Sequence, residues 1–204
     1  RPWLPVPDAA APDSDQPEFA GTRAASWRTS DSLAGLREAA EHGDPVSQYR
    51  LAVVCATGQG VTAEIADALA WCRKAAEQGV AEAEYNLGLL YARGVGVAAD
   101  PAEAASWFRR AAEHGHVAAQ FETGRRYATG TGVPRDDREA GAWYRRAAER
   151  GHAGAQFNLG VRHGAGRGME ADAGLAAWWY RQAADQGHAT AQFNLGVRHV
   201  HGDG

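Results

Sequence analysis

Apolar and small side chains recur along this chain at a fixed interval of 36 residues, and residues 45–80, 81–116, 117–152 and 153–188 align without an insertion. Each block carries two stretches of helical period. In the second block Ala83, Leu87, Gly88 and Tyr91 share one face at spacings of three and four, and Ala104, Trp107, Phe108 and Ala111 form a second stripe. Gly94 and Gly96 break the pattern between them and recur as Gly58 and Gly60, Gly130 and Gly132, Gly166 and Gly168. The second stretch opens at Asp100-Pro101-Ala102-Glu103, with Asp at the N-cap, Pro at the first helical position and Glu completing a capping box. Gly115 ends it as a C-cap glycine does. Each block therefore predicts an antiparallel helix pair. A period of this length predicts an all-α solenoid, which grows a long surface instead of closing round one catalytic pocket.

Partial blocks flank the full ones. Residues 31–44 supply a half repeat, since Gly35 to Asp44 matches the last positions of a block, and 189–204 supplies another that nearly duplicates Ala153 to Gly168. The solenoid is thus expected over 31–204. Residues 1–30, rich in Pro, Ala and Asp, read as a linker or tail, although Trp3, Leu4, Val6 and Phe19 would suit packing on the solenoid or on a partner. The chain begins at Arg1 and its one methionine is Met169, so its true start is expected to be missing, and the half repeat at 189–204 reads either as the cut end of a longer array or as a face that something else covers. An open final half repeat, with Phe193, Leu195 and His199 on its inward face, predicts self-association.

Small residues set the expected packing. Gly88, Gly124 and Gly160 at position 8 of their blocks are expected opposite Ala104, Ala140 and Ala176 at position 24, letting the helix backbones approach. That register leaves Cys55 and Cys72 about seven residues out of step, roughly 10 Å along the axis. A disulfide needs Cα atoms within about 7 Å, so no bridge is expected, and both thiols should face inward.

The block A-x-A-Q-[YF]-N-L-G-x-x-Y-x-x-G-x-G-V, followed by D-x-x-x-A-x-x-W-[YF]-R-R-A-A-E-x-G-H, resembles the Sel-one-like repeat family, relatives of tetratricopeptide repeats, over Leu33 to Gly204. The resemblance implies a right-handed superhelix of helix pairs whose first helices line a concave groove used for protein interaction. It also permits a cell-envelope enzyme or a binder of small β-lactam or glycan-type ligands as the alternative. It further implies a bacterial protein, cytoplasmic, periplasmic or exported. Departures cluster in the first block, with Ala52, Cys55 and Cys72 at positions otherwise Gly or aromatic, and Leu175 breaks the capping box of the fourth.

Candidate chemistry narrows quickly. The Gly-x-Gly turns lack the Lys-Ser or Lys-Thr of a phosphate loop and follow helices, so they read as turns. His116, His152 and His188 lie in different layers of the stack, which disfavours a shared metal ion. Arg109-Arg110, Arg145-Arg146 and Arg73-Lys74 alternate with Glu77, Glu113, Glu149 and Asp185, the pattern of a solvated exterior. A net charge of −4 argues against general nucleic-acid binding, and no apolar run is long enough to cross a bilayer. No catalytic constellation, cofactor motif or metal set is recognised.

The groove remains. Position 5 is aromatic in every unit and position 6 is Asn in three, so the candidate partner-binding residues are Tyr85, Asn86, Phe121, Arg125, Phe157, Asn158, Phe193 and Asn194. Packing is favoured for the aromatics, while the asparagines stand open between packing and capture of a peptide backbone. The reading is a non-enzymatic scaffold for a protein or peptide partner.

Overall fold

The computed structural model describes residues 32–57 and 65–201, with side chains described as far as residue 196. The tail at 1–30 and the first Gly-x-Gly turn, Gly58 and Gly60, lie outside the described residues. Among the described residues there are ten helices and no strand. They are α1 (Leu33–Glu41), α2 (Pro45–Thr57), α3 (Ile65–Glu77), α4 (Ala81–Arg93), α5 (Pro101–Glu113), α6 (Val117–Thr129), α7 (Asp137–Glu149), α8 (Ala153–Ala165), α9 (Ala173–Asp185) and α10 (Ala189–His201). The chain resolves into two compact units that divide between Ala99 and Asp100. In the first, α1 to α4 pack consecutively, with Leu51, Cys55 and Ala68 in a core flanked by Leu33, Leu36 and Trp71. In the second, α5 to α10 pack in the same consecutive way. This is an α-solenoid of helix pairs with a 36-residue period.

Local chemistry explains the helix ends. Asp100 accepts from the backbone N–H groups of Ala102 and Glu103, and Asp136 from those of Arg138 and Glu139. Asp172, with Leu175 where the other helices have Glu, accepts only from Leu175. At the other end of α5 the His116 N–H reaches back to the Ala111 carbonyl and the Gly115 N–H to that of Ala112, the paired bonds that close a helix on glycine.

Within a repeat the register differs in detail from the small-against-small expectation. A Cβ on Gly124 would lie 2.8 Å from Cδ1 of Tyr144, and one on Gly160 would lie 2.7 Å from Cδ1 of Tyr180. The space over each glycine is filled by the aromatic at position 28, an Ala176 carbonyl oxygen standing 3.1 Å away as the second neighbour at Gly160. Ala140 and Ala176 are buried beside these rings. A missing Cβ here admits a ring, so the contact is aromatic on backbone.

No disulfide joins Cys55 and Cys72, and both are buried. The Cys72 thiol donates to the Ala83 carbonyl at 3.4 Å, and burial pushes its pKa up to about 12. The folded chain therefore holds this proton to higher pH than the unfolded chain, whose thiol titrates near 9. The associated stability is complete below about pH 9 and is lost as pH rises toward 12, at no more than about 1.4 kcal/mol per pH unit. Urea unfolding at pH 8, 9.5 and 10.5 should show this decline. The Cys72→Ala variant should show a shallower one, and equal slopes would rule the thiol out as its source.

Candidate functional site

The first helices of the repeats carry the candidate residues, one set per repeat. In the second unit Phe121 and Arg125 stand on α6, Phe157 and Asn158 on α8, and Phe193 and Asn194 on α10, while Tyr85 and Asn86 stand on α4 of the first unit. Phe121 and Phe157 are half-buried in a stack. The Phe121 ring lies 5.7 Å from that of Tyr144 and 4.4 Å, nearly parallel, from His152. Phe157 repeats this with Tyr180 at 5.7 Å and His188 at 4.7 Å. The same imidazoles cap helices, since Nδ1 of His116, His152 and His188 accepts from the backbone N–H of Ala119, Ala155 and Ala191. Each of His152 and His188 thus caps or precedes one repeat while its face rests on the aromatic of the repeat before.

The polar candidates are partly engaged. Asn86 Nδ2 donates to the Tyr49 hydroxyl at 3.1 Å, and Asn158 Nδ2 to the Gly154 carbonyl at 2.8 Å. Arg125 is exposed and grips Glu122 at 2.7 Å. Asn194 is half-buried, and Phe193 is 69% exposed.

A second set of polar residues, unremarked in the sequence reading, joins consecutive repeats. Gln48, Gln120, Gln156 and Gln192, all at position 4, donate through Nε2 to the carbonyls of Ala40, Ala112, Ala148 and Ala184 near the end of the preceding helix. The Oε1 atoms of Gln48 and Gln156 accept from Gln78 and Gln186. In the third block Arg150 takes the latter place and donates instead to the Gly115 carbonyl, leaving Gln120 Oε1 without a partner among the described residues. The available signal was a Gln at the same position in four units, inside an otherwise apolar stretch.

On the second helices, cations from the more exposed side lie over tryptophans, of which Trp143 is buried. Lys74, Arg110 and Arg146 lie 4.0, 4.4 and 4.3 Å from the ring centres of Trp71, Trp107 and Trp143. Arg109 pairs with Glu113 at 3.0 Å on the same exposed side. Another arginine is turned inward: Arg162 is buried and donates to both the carboxylate and the main-chain carbonyl of Asp137, at 3.2 and 2.9 Å. The Asp137 carboxyl is held below the usual carboxylate range, first by the hydrogen bond from Arg135 and then by that from Arg162. Next to Arg162, His163 is buried with neither ring nitrogen hydrogen-bonded among the described residues. Among the described residues no three potential metal ligands converge, and no helix is long and apolar enough to cross a membrane.

Comparison with known proteins gives a consistent picture. The Sel1 repeat family model matches residues 45–80, 81–116, 117–152, 153–188 and 189–204. Among solved structures, a protective antigen of uropathogenic Escherichia coli displaying an SLR fold is 38% identical, with a TM-score of 0.78 over 83% of this chain and 36% of its own. A Sel1 repeat protein from Oxalobacter formigenes is also 38% identical, with a TM-score of 0.75 over 80% of this chain and 48% of its own. The chain thus spans between about a third and a half of the length of these bacterial relatives. No curated protein matches it.

Proposed function

The chain belongs to the Sel1-repeat family, generally non-enzymatic scaffolds for protein–protein interaction, and on that premise we propose that it binds an extended peptide or protein segment along its first helices, on the face expected to be concave. In the second unit the candidate residues are Phe121, Arg125, Phe157, Asn158, Phe193 and Asn194, and in the first unit, taken by itself, they are Tyr85 and Asn86. The observation that carries this reading is the recurrence of an aromatic–asparagine pair at one place on successive first helices, Phe157–Asn158 and Phe193–Asn194, with side chains that keep solvent access. Asn158, fixed through its Nδ2, presents a pre-oriented carbonyl oxygen, which suits the N–H of an extended backbone.

The test uses peptides selected on the intact chain by display. In the double variant Asn158→Ala with Asn194→Ala, calorimetry should show affinity falling about tenfold, the worth of one or two hydrogen bonds. The melting temperature should stay near that of the parent. Unchanged affinity in a folded double variant would remove the asparagines from the binding face.

A further inference from the structure

Arg126 and Arg162 occupy the same position in successive repeats, and their surroundings differ in one respect. Arg162 finds Asp137, which opens α7, and takes both its carboxylate and its main-chain oxygen. The residue in the corresponding place at the start of α5 is Pro101, which offers no carboxylate. Arg126 is nevertheless as deeply placed, 4% exposed, with its Cζ 4.8 Å above the Phe108 ring as that of Arg162 lies 5.4 Å from Tyr144. Its Nε is buried with no hydrogen-bond partner among the described residues, and its Nη1 makes a long 3.5 Å approach to the Thr131 carbonyl. Glu122, the carboxylate whose charge reaches it, is gripped by Arg125. Burial lowers the pKa of this guanidinium from its ordinary value, as expected for a buried cation short of a counter-charge.

Arg126 also lines an open cleft. It measures about 270 Å³ between α5 and α6, and Ser106, Arg109, Arg110, Glu113, Arg126 and Tyr127 are among the residues that line it. Three of these are cations and one is an anion, and that anion, Glu113, is paired with Arg109. The buried Arg126 guanidinium thus lines a cavity wide enough for a small acid or the end of an acidic side chain, whose walls also carry Arg109, paired with Glu113, and Arg110, which lies on Trp107. Paired hydrogen bonds between guanidinium and carboxylate are the interaction that the next repeat makes internally.

We propose that the cleft between α5 and α6 is a carboxylate-binding site, in which a ligand supplies to Arg126 the acidic group that Asp137 supplies to Arg162. The site stands apart from the aromatic–asparagine face and does not depend on it. The carboxylate comes either on a small free acid or on an acidic side chain of a partner, and the two sources separate experimentally.

The intact chain is titrated with succinate, with a capped Glu-Glu peptide whose only carboxylates are its side chains, and with inorganic phosphate, all at constant ionic strength. Calorimetry measures affinity and the Arg126 Nε–H resonance reports the contact. Saturable binding of succinate or peptide that moves this resonance is expected. Tighter binding of succinate identifies a free acid, and tighter binding of the peptide a partner's side chain. Pro101→Asp, which recreates the internal pair of the next repeat, should weaken binding tenfold or more, and so should Arg126→Met, whose folded state circular dichroism verifies. The exposed Arg145→Met, equal in charge change, should leave it unaltered. The assignment is overturned by an absence of saturation, by undiminished binding in folded Pro101→Asp or Arg126→Met, or by a preference for phosphate over both carboxylates.

Discussion

Gly132→Ala should destabilise the chain by about 3 kcal/mol or more, and Gly168→Ala by a similar amount. Two costs add. Both glycines have positive φ, +77° and +73°, where a side chain costs about 1–2 kcal/mol. In addition the turn after α6 rests on the first turn of α5, so a Cβ at Gly132 would overlap the Pro101 carbonyl. A Cβ at Gly168 would likewise overlap that of Asp137. Backbone carbonyls inside a helix cannot swing aside as a side-chain tip can, and overpacking of this kind costs a further 1–3 kcal/mol, roughly. Gly151 separates the two costs, since its φ is +88° and nothing lies within 4 Å of a Cβ there. Gly151→Ala should therefore lose only about 1–2 kcal/mol in denaturant unfolding. Equal losses at 132 and 151 would show that the turn does not rest on α5 as described.

Gly124→Leu is the second large effect, expected at about 3 kcal/mol or more. Its Cβ would stand 2.8 Å from Cδ1 and 3.2 Å from Cγ of Tyr144, near the root of that side chain and not at its far end. The ring has little room to retreat, flanked by Phe121 at 5.7 Å and by the Arg162 guanidinium at 5.4 Å. Truncating the ring should relieve the strain. The double variant Gly124→Leu with Tyr144→Ala should lose less than the sum of the two single changes, a coupling read from a double-mutant cycle. Strict additivity would place the glycine away from the ring.

Position 8 also shows where the sequence stopped being informative. Helices, turns and caps were legible because each depends on residues within a few places of one another, as in Asp100-Pro101-Ala102-Glu103, and the period multiplied the signal. A glycine announces a close approach but not which side chain arches over it, and the small Ala140 was a more obvious partner than the ring of Tyr144. The glutamine contacts were hidden for another reason: their partners are main-chain carbonyls, and a carbonyl leaves no trace in residue identity. The stack of Phe121 on His152 joins residues 31 apart, near opposite ends of one block and beyond any helical spacing. The inward arginines had a visible mark, for Arg126 and Arg162 stand where the second block has Leu90. Recognising it required the idea that a cation on an inward helix face must be matched, and Asp137 matches only one of the two.

The glutamine contacts bear on how such an array can be divided. Gln156 secures the end of α7, His152 caps α8, and the turn after α8 sits on the start of α7. Every one of these ties crosses the boundary that the 36-residue alignment draws between His152 and Ala153. A block excised on that boundary keeps its aromatic-on-glycine contact and forfeits its clasps at both ends. A segment shifted by half a period, from one Gly-x-Gly turn to the next, keeps the clasps and forfeits the ring. The alignment unit and the mechanical unit are therefore out of phase, and grafts or deletions that respect only the first will sever the joints that hold one repeat to the next.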